Sequence, residues 1–173
     1  MLLPLKRTLR SVSLASNPKV TDEAVAALIL LYSLGQLSIL DTSIGMTGLR
    51  RLASMIYNQE WIIDVEIPRA CEDYIDRKLS NCKNRLVAER ASTDMHDQYM
   101  LHISPPFVSD PSVCSTLSAA ALKRNLEAHS NINSEILAGG TRMEMVERLQ
   151  FILETRAADN IVRSMVLGDE VTD

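Results

Sequence analysis

Aromatic residues are scarce in this chain. Phe, Trp and Tyr make up 4% of its 173 residues, although 46% of the residues are hydrophobic. A core with so few rings must consist of Leu, Ile, Val, Ala and Met side chains, which are the side chains of helix packing. A chain of this length buries about two-thirds of its surface, so a core of ordinary size is available. The composition therefore favours an all-α protein.

Cysteine is also scarce, and long hydrophobic runs are missing. Cys71, Cys82 and Cys114 are an odd number of cysteines without the spacing of metal ligands. This pattern argues against a disulfide framework and for a reducing compartment. The longest apolar runs, such as residues 24–34, are shorter than the roughly 20 residues that a membrane span needs. We therefore expect no membrane span.

The motifs of common enzyme classes are absent. The sequence has no nucleophile elbow, phosphate-binding loop, dinucleotide fingerprint or zinc-ligand spacing. One polar cluster, Asp94, His96, Asp97 and His102, contains groups that can bind a divalent metal, but its spacing matches no motif, and we interpret it as polarity at a helix end. We predict a protein that is not an enzyme and that has no cofactor, no metal site and no catalytic residues.

Acidic residues are missing from residues 1–17. This segment contains Lys6, Arg7 and Arg10 together with several leucines and hydroxyl residues, a composition typical of a mitochondrial transit peptide. We predict cleavage near Asn17 and a location in the matrix or on the matrix face of the inner membrane; the alternative is an ordinary frayed terminus. The net charge of the whole chain is −4, and without this segment 15 basic residues face 22 acidic ones.

Apolar residues recur at helical spacing in three segments, which predict helical hairpins over residues 22–58, 68–101 and 117–166. The first hairpin starts at Thr21, which we expect to cap its helix, and residues 61–67 are interpreted as an extended connector. The expected fold is an all-α array of three hairpins with six or seven helices. The predicted domains are a transit peptide (1–17), N-terminal hairpins (18–104), a Pro-rich linker (105–116), a C-terminal hairpin (117–168) and an acidic tail (169–173).

The first hairpin contains ALILLYSLGQL followed by LRRLASMI. These segments resemble the two helices of a pentatricopeptide repeat, a helical repeat that binds RNA. The loop over residues 38–45 is longer than such repeats carry. We therefore assign no base-reading residue to this chain.

The C-terminal hairpin carries the clearest local signals. Ser118 stands where it caps a helix over residues 119–129, and Thr141 with Glu144 forms the capping box of a second helix. His129 lies near the end of the first helix, where a cation is favourable.

This hairpin resembles the SAP motif, a two-helix module that binds DNA or RNA. The residues that match its L-K-x-x-L and G-T-K-x-x-L-x-x-R-L patterns are Leu122, Lys123, Leu126, Gly140, Thr141, Arg142, Met145, Arg148 and Leu149. The resemblance implies that Lys123, Arg142 and Arg148 contact nucleic acid. However, residues 115–156 contain five basic and five acidic residues, which favours weak binding to a phosphate backbone.

In length, presequence and helical layout the chain resembles the extra subunits that euglenozoans carry on the catalytic head of mitochondrial ATP synthase. This resemblance implies a non-catalytic, structural subunit that docks on the outer surface of the α subunit. The favoured hypothesis is therefore an accessory subunit of a large mitochondrial complex, with ATP synthase as the first candidate. The alternative is a SAP-like protein of organellar RNA or DNA metabolism, or a component of the mitochondrial ribosome.

Overall fold

The computed structural model describes residues 7–80, 99–100 and 103–167. The chain divides into two compact units, each with its own hydrophobic core. Unit 1 consists of Met1–Leu79 together with Ala158–Asp173, and unit 2 consists of Ser80–Ala157.

Unit 1 contains a small parallel sheet. Its strands are β1 (Ser11–Ser13), β2 (Gln36–Ser38) and β3 (Asp64–Glu66), and they lie side by side in sequence order. Neighbouring strands begin 25 and 28 residues apart along the chain. Two further hydrogen bonds extend the ladders, from the Leu14 amide to the Ser38 carbonyl (2.8 Å) and from the Ile39 amide to the Glu66 carbonyl (2.9 Å). Each strand is thus bonded to a segment one full excursion of the chain away.

The sheet means that the all-α prediction is not confirmed, although the broader expectation of a mainly helical protein is. The described residues contain five α-helices and two 3-10 helices besides the three strands. Strands of three residues carry too little alternation to stand out from a helical pattern, and their pairing partners are distant in sequence. Asp64–Glu66, which we interpreted as part of a connector, is the third strand of the sheet.

Between the strands the chain forms short helical segments. A 3-10 helix (Asp22–Ala24) leads into α1 (Val25–Leu28), and α2 (Met46–Asn58) and α3 (Arg69–Ser80) follow the second and third strands. The prediction of a helical hairpin over residues 22–58 is therefore wrong in its first half, whereas the second helix is confirmed.

The predicted first helix fails because its apolar residues are buried without it. Leu28, Leu31 and Leu34 are all buried in the core of unit 1. The amides of Leu31 and Leu34 bond to carbonyls three residues earlier, at 2.9 and 3.0 Å, so the chain forms successive turns after α1. These turns bury the same side chains and return the backbone to the sheet at β2.

Asp22 supports the helix of the next segment. Its carboxylate oxygen Oδ1 accepts a hydrogen bond from the Gly45 amide at 2.7 Å, at the start of α2. A negative charge is favourable at this end of a helix. The absence of a side chain at Gly48 makes room for this carboxylate, because a Cβ there would overlap Asp22 Oδ1. Thr21, which we expected to cap its own helix, makes no such side-chain bond.

Equivalent residues after the first two strands have the same conformation and the same bonds. Asn17 Nδ2 and Thr42 Oγ1 each donate to the carbonyl three residues earlier, at 2.9 and 2.8 Å. Ser16 and Asp41, one position before them, both adopt a left-handed backbone, with φ of 59° and 54°. The two segments therefore turn away from the sheet in the same way.

The apolar residues around the strands follow the spacing L-x-x-L-x-L. The three sets are Leu9, Val12 and Leu14; Leu34, Leu37 and Ile39; and Ile62, Val65 and Ile67. This spacing, with one short parallel strand and one helical segment per roughly 20–29 residues, is that of leucine-rich repeats. Unit 1 thus has the arrangement of a short β/α solenoid.

The third segment departs from this pattern at its first position. Ile62 stands where Leu9 and Leu34 stand, but it is 93% exposed. The neighbouring Trp61 packs against the core instead, and its indole nitrogen donates to the Leu34 carbonyl at 2.7 Å. The exchange leaves a large apolar side chain in solvent just before β3.

A polar cluster ties the C-terminal residues of unit 1 to its helices. Arg50 donates from Nε to Asp159 Oδ1 at 2.6 Å and from Nη2 to Asp159 Oδ2 at 3.2 Å. The Tyr74 hydroxyl also donates to Asp159 Oδ2, at 3.1 Å. Nearby in sequence, Val162 is fully buried in the core of unit 1. These contacts join residues that are 109 positions apart in the chain.

Unit 2 contains α4 (Ala119–Ser130) and the first part of α5 (Arg142–Leu167). Both predicted helix starts are confirmed. The Ser118 hydroxyl accepts from the Ala121 amide at 3.2 Å, and Glu144 Oε2 accepts from the Thr141 amide at 2.8 Å. Local capping bonds of this kind need no distant partner, so the sequence predicts them well.

Part of the predicted Pro-rich linker also belongs to this unit. Pro111–Thr116 forms a 3-10 helix, capped by the Asp110 carboxylate, which accepts from the Ser112 amide at 2.8 Å. Cys114 within it is fully buried in the core of unit 2.

Candidate interaction surface

Six side chains of the unit 1 sheet lie on the side away from the core, and we call this set the sheet face. Residues two apart in a strand point to the same side. The register of the strands aligns these residues in two rows. The rows are Ser11, Gln36 and Asp64, and Ser13, Ser38 and Glu66. Because neighbouring strands are about 4.8 Å apart, each row spans roughly 10 Å.

The sheet face is polar and acidic at one edge. Five of its six side chains are exposed, Ser38 is half-buried, and none of the six is basic. Asp64 and Glu66 place two carboxylates on β3, and the exposed Ile62 lies two residues before that strand. The surface therefore offers hydrogen-bonding groups, two negative charges and one adjacent apolar contact.

The nearest basic residue in sequence, Arg10, is engaged elsewhere. It precedes β1, and its Nη1 donates to the Ser33 carbonyl at 3.1 Å. Our sequence analysis did not identify the sheet face. The available signal was a polar, apolar, polar triplet in three places: Ser-Val-Ser, Gln-Leu-Ser and Asp-Val-Glu.

The two arginines predicted to contact nucleic acid are bonded within the protein. Arg142 Nη2 donates to the carbonyls of Ser115 and Leu117, at 2.5 and 3.1 Å. It thus closes the C-terminal end of the 3-10 helix, where carbonyls lack partners. Arg142 serves the packing of unit 2.

Arg148 has a similar role at a second place. Its Nη1 donates to the carbonyls of Leu137 and Gly139, at 2.6 and 3.0 Å. These bonds hold the loop between α4 and α5 against α5. The third predicted residue, Lys123, is exposed and lies 3.7 Å from Glu127 on its own helix. The three predicted residues thus have separate partners within unit 2.

We predict that Arg148→Ala lowers the free energy of unfolding of unit 2 by about 1–2 kcal/mol, because two charge-assisted bonds to the loop are lost. Lys123→Ala is the matched control, since an exposed ion pair on one helix contributes little. Urea unfolding followed by circular dichroism measures both variants. Equal stability of the two variants would contradict a structural role for Arg148.

Two buried polar side chains on α4 bind extended backbone in unit 2. Asn125 Oδ1 accepts from the Val108 amide at 2.8 Å, and His129 Nδ1 accepts from the Met100 amide at 3.0 Å. Burial, together with the positive charge of Arg156, lowers the pKa of His129 to about 4. His129 is therefore neutral at pH 7, and the expectation of a favourable cation at this helix end is wrong.

The buried cysteines are poor nucleophiles. Burial and the negative charge of Asp22 raise the pKa of the Cys71 thiol to about 11. Burial also raises the pKa of Cys114. Since the thiolate is the reactive form, both thiols stay unreactive at neutral pH.

Within the described ranges, no group of three or more His, Cys, Asp or Glu side chains is arranged to hold a metal ion. The polar cluster Asp94, His96, Asp97 and His102 lies outside the described residues, as does Cys82. In the same ranges, none of the helices combines the length and the apolar character required to cross a bilayer.

Comparisons with known proteins found no matching family model, no similar curated protein and no similar solved structure.

Proposed function

We propose that the protein is a non-catalytic accessory subunit that binds a protein partner through the sheet face of unit 1. The observation that carries this proposal is the alignment of six polar side chains on one side of a stacked β/α array. Arrays of this kind use such extended surfaces for binding.

The chemistry of the surface indicates the kind of partner. Asp64 and Glu66 favour a basic protein surface, and complementary charge chiefly sets the rate and specificity of association. Ile62, which is 93% exposed, adds an apolar contact of the sort that anchors an interface. The net charge of −4 also opposes binding to a phosphate backbone.

The proposed setting is a large mitochondrial complex, with ATP synthase as the first candidate, and it rests on the sequence of residues 1–17 and on the absence of catalytic motifs. Within this proposal the partner is the outer surface of the α subunit. The nucleic-acid alternative has less support, because Arg142 and Arg148 are bonded to backbone carbonyls of unit 2.

Affinity purification of the tagged protein from gently lysed mitochondria, with and without nuclease, tests this function. We expect one set of proteins to co-purify under both conditions, and the double variant Asp64→Lys, Glu66→Lys to lose most of it, because the variant reverses the charge of the sheet face. The matched control is Glu72→Lys, Asp73→Lys, which makes the same change of charge at two exposed positions on α3.

Equal recovery with the two double variants would exclude the sheet face as the binding surface. Recovery of the wild-type chain alone, or only with RNA that nuclease removes, would overturn the accessory-subunit proposal. Subunits of ATP synthase among the nuclease-resistant proteins would support that candidate, and other proteins in their place would exclude it.

A further inference from the structure

A second exposed surface lies in unit 2, on the first half of α5. Met143 is 70% exposed and Phe151 is 69% exposed, although both are large hydrophobic residues. They are eight positions apart, so they lie about 12 Å apart along the helix. Glu147 lies midway between them and Glu154 lies one turn beyond Phe151, and both are exposed. We call these four residues the outer face of α5.

This face is separate from the buried side of the helix. Met145, Leu149 and Ile152 are buried in the core of unit 2. At 100° per residue the four residues of the outer face lie roughly opposite these three. Their exposure therefore follows from the packing of α5 and does not depend on a frayed end.

The outer face has acidic charge and no basic residue. Arg142 and Arg148, the basic residues of this part of α5, donate to backbone carbonyls of unit 2. The Glu144 carboxylate accepts from Thr141. Glu147 and Glu154 therefore set the charge of the face, beside two apolar side chains.

We infer that the outer face of α5 binds an amphipathic helix of a partner protein, with apolar side chains along one side and lysine or arginine beside them. A partner helix of this kind covers Met143 and Phe151 with its apolar side and places its cations against the two glutamates. This is recognition of a helix by its apolar positions, with charge complementarity that excludes acidic helices. Methionine suits such a surface because its side chain adapts to different partners.

The probe is a synthetic amphipathic peptide of 18 residues made of leucine and lysine, titrated into the full chain by calorimetry at low and at physiological salt. We expect saturable one-to-one binding. The same peptide with glutamate in place of lysine should bind at least tenfold more weakly, because it meets two carboxylates of its own sign.

Variants locate the binding site. Phe151→Ser should weaken binding of the lysine peptide at least tenfold, and Glu147→Gln should reduce its dependence on salt. Tyr57→Ser is the control, since Tyr57 is an aromatic residue of α2 that is 57% exposed. The sheet-face variant Asp64→Lys, Glu66→Lys should bind the lysine peptide as the wild type does, which separates this inference from the proposed function.

Three results would overturn the inference. One is equal affinity of the wild type and Phe151→Ser, and another is equal affinity for the lysine and glutamate peptides. The third is a dimer of the wild type in sedimentation velocity that Phe151→Ser abolishes, because a second copy of the chain would then cover this face.

Discussion

Asp159→Ala is expected to lower the free energy of unfolding of unit 1 by about 3–5 kcal/mol. Asp159 is 8% exposed and Arg50 is 19% exposed, so the ion pair between them is largely shielded from water. Removal of the carboxylate leaves the guanidinium in this environment without its opposite charge, which is the costly way to break a buried pair. The Tyr74 hydroxyl loses its acceptor in the same step. Urea unfolding at pH 7 measures the difference.

Two controls separate the ion pair from a general effect of the substitution. Glu154→Ala removes an exposed carboxylate from the same helix and should change the free energy of unfolding by less than about 0.5 kcal/mol. The double variant Arg50→Met, Asp159→Leu should be more stable than Asp159→Ala, because apolar side chains can replace a buried pair at little cost. If Asp159→Ala alone unfolds like the wild type, the pair does not hold the end of α5 in unit 1.

A chain that begins at Pro18 is expected to lose the cooperative folding of unit 1. The deletion removes β1 and with it the bonds from the amides of Leu14 and Ser16 to the carbonyls of Ser38 and Leu40. It also removes Leu9, Val12 and Leu14, which pack against the core of unit 1. Burial of such a side chain contributes about 1.5–3 kcal/mol, so three of them amount to a large part of the stability of a small domain.

Hydrogen exchange measures this loss, since the amides of unit 1 should lose protection while those of α4 keep theirs. A chain that begins at Arg7 retains β1 and is the control. The same experiment bears on the predicted transit peptide, because cleavage near Asn17 would remove the first strand. Unchanged protection of unit 1 in the shorter chain would show that β1 is dispensable. Sequencing the N-terminus of the native protein then shows whether this cleavage occurs.

The accuracy of the sequence analysis followed the range of the interactions. Ser118, Thr141 and Glu144 make capping bonds within four residues, and both helix starts were predicted correctly. The stripe that defines α2 also depends on spacing within one helix. The strands were missed because each is three residues long and pairs with a segment 25 or 28 residues away. Leu28, Leu31 and Leu34 suggested a helix where turns bury the same side chains.

The candidate surfaces show the same limit. The sheet face exists only because the register brings Ser11, Gln36 and Asp64 into one row, and no local pattern specifies that register. The matched residues of the SAP-like pattern do lie on two helices with the predicted starts. The roles of Arg142 and Arg148, however, depend on carbonyls 9 to 27 residues away, which charge and spacing do not identify.

The sequence by itself determined the aliphatic core, the helix starts at Ser118 and Thr141, and the helical stripe of α2, because composition, capping and periodicity act within a few residues. Only the tertiary structure decided that residues 7–80 form a β/α array, that His129 is buried and neutral, and that the two arginines bind backbone. These outcomes depend on which distant segments meet, since burial and hydrogen bonding between such segments outweigh the weak local preferences of a three-residue strand or a single charged side chain.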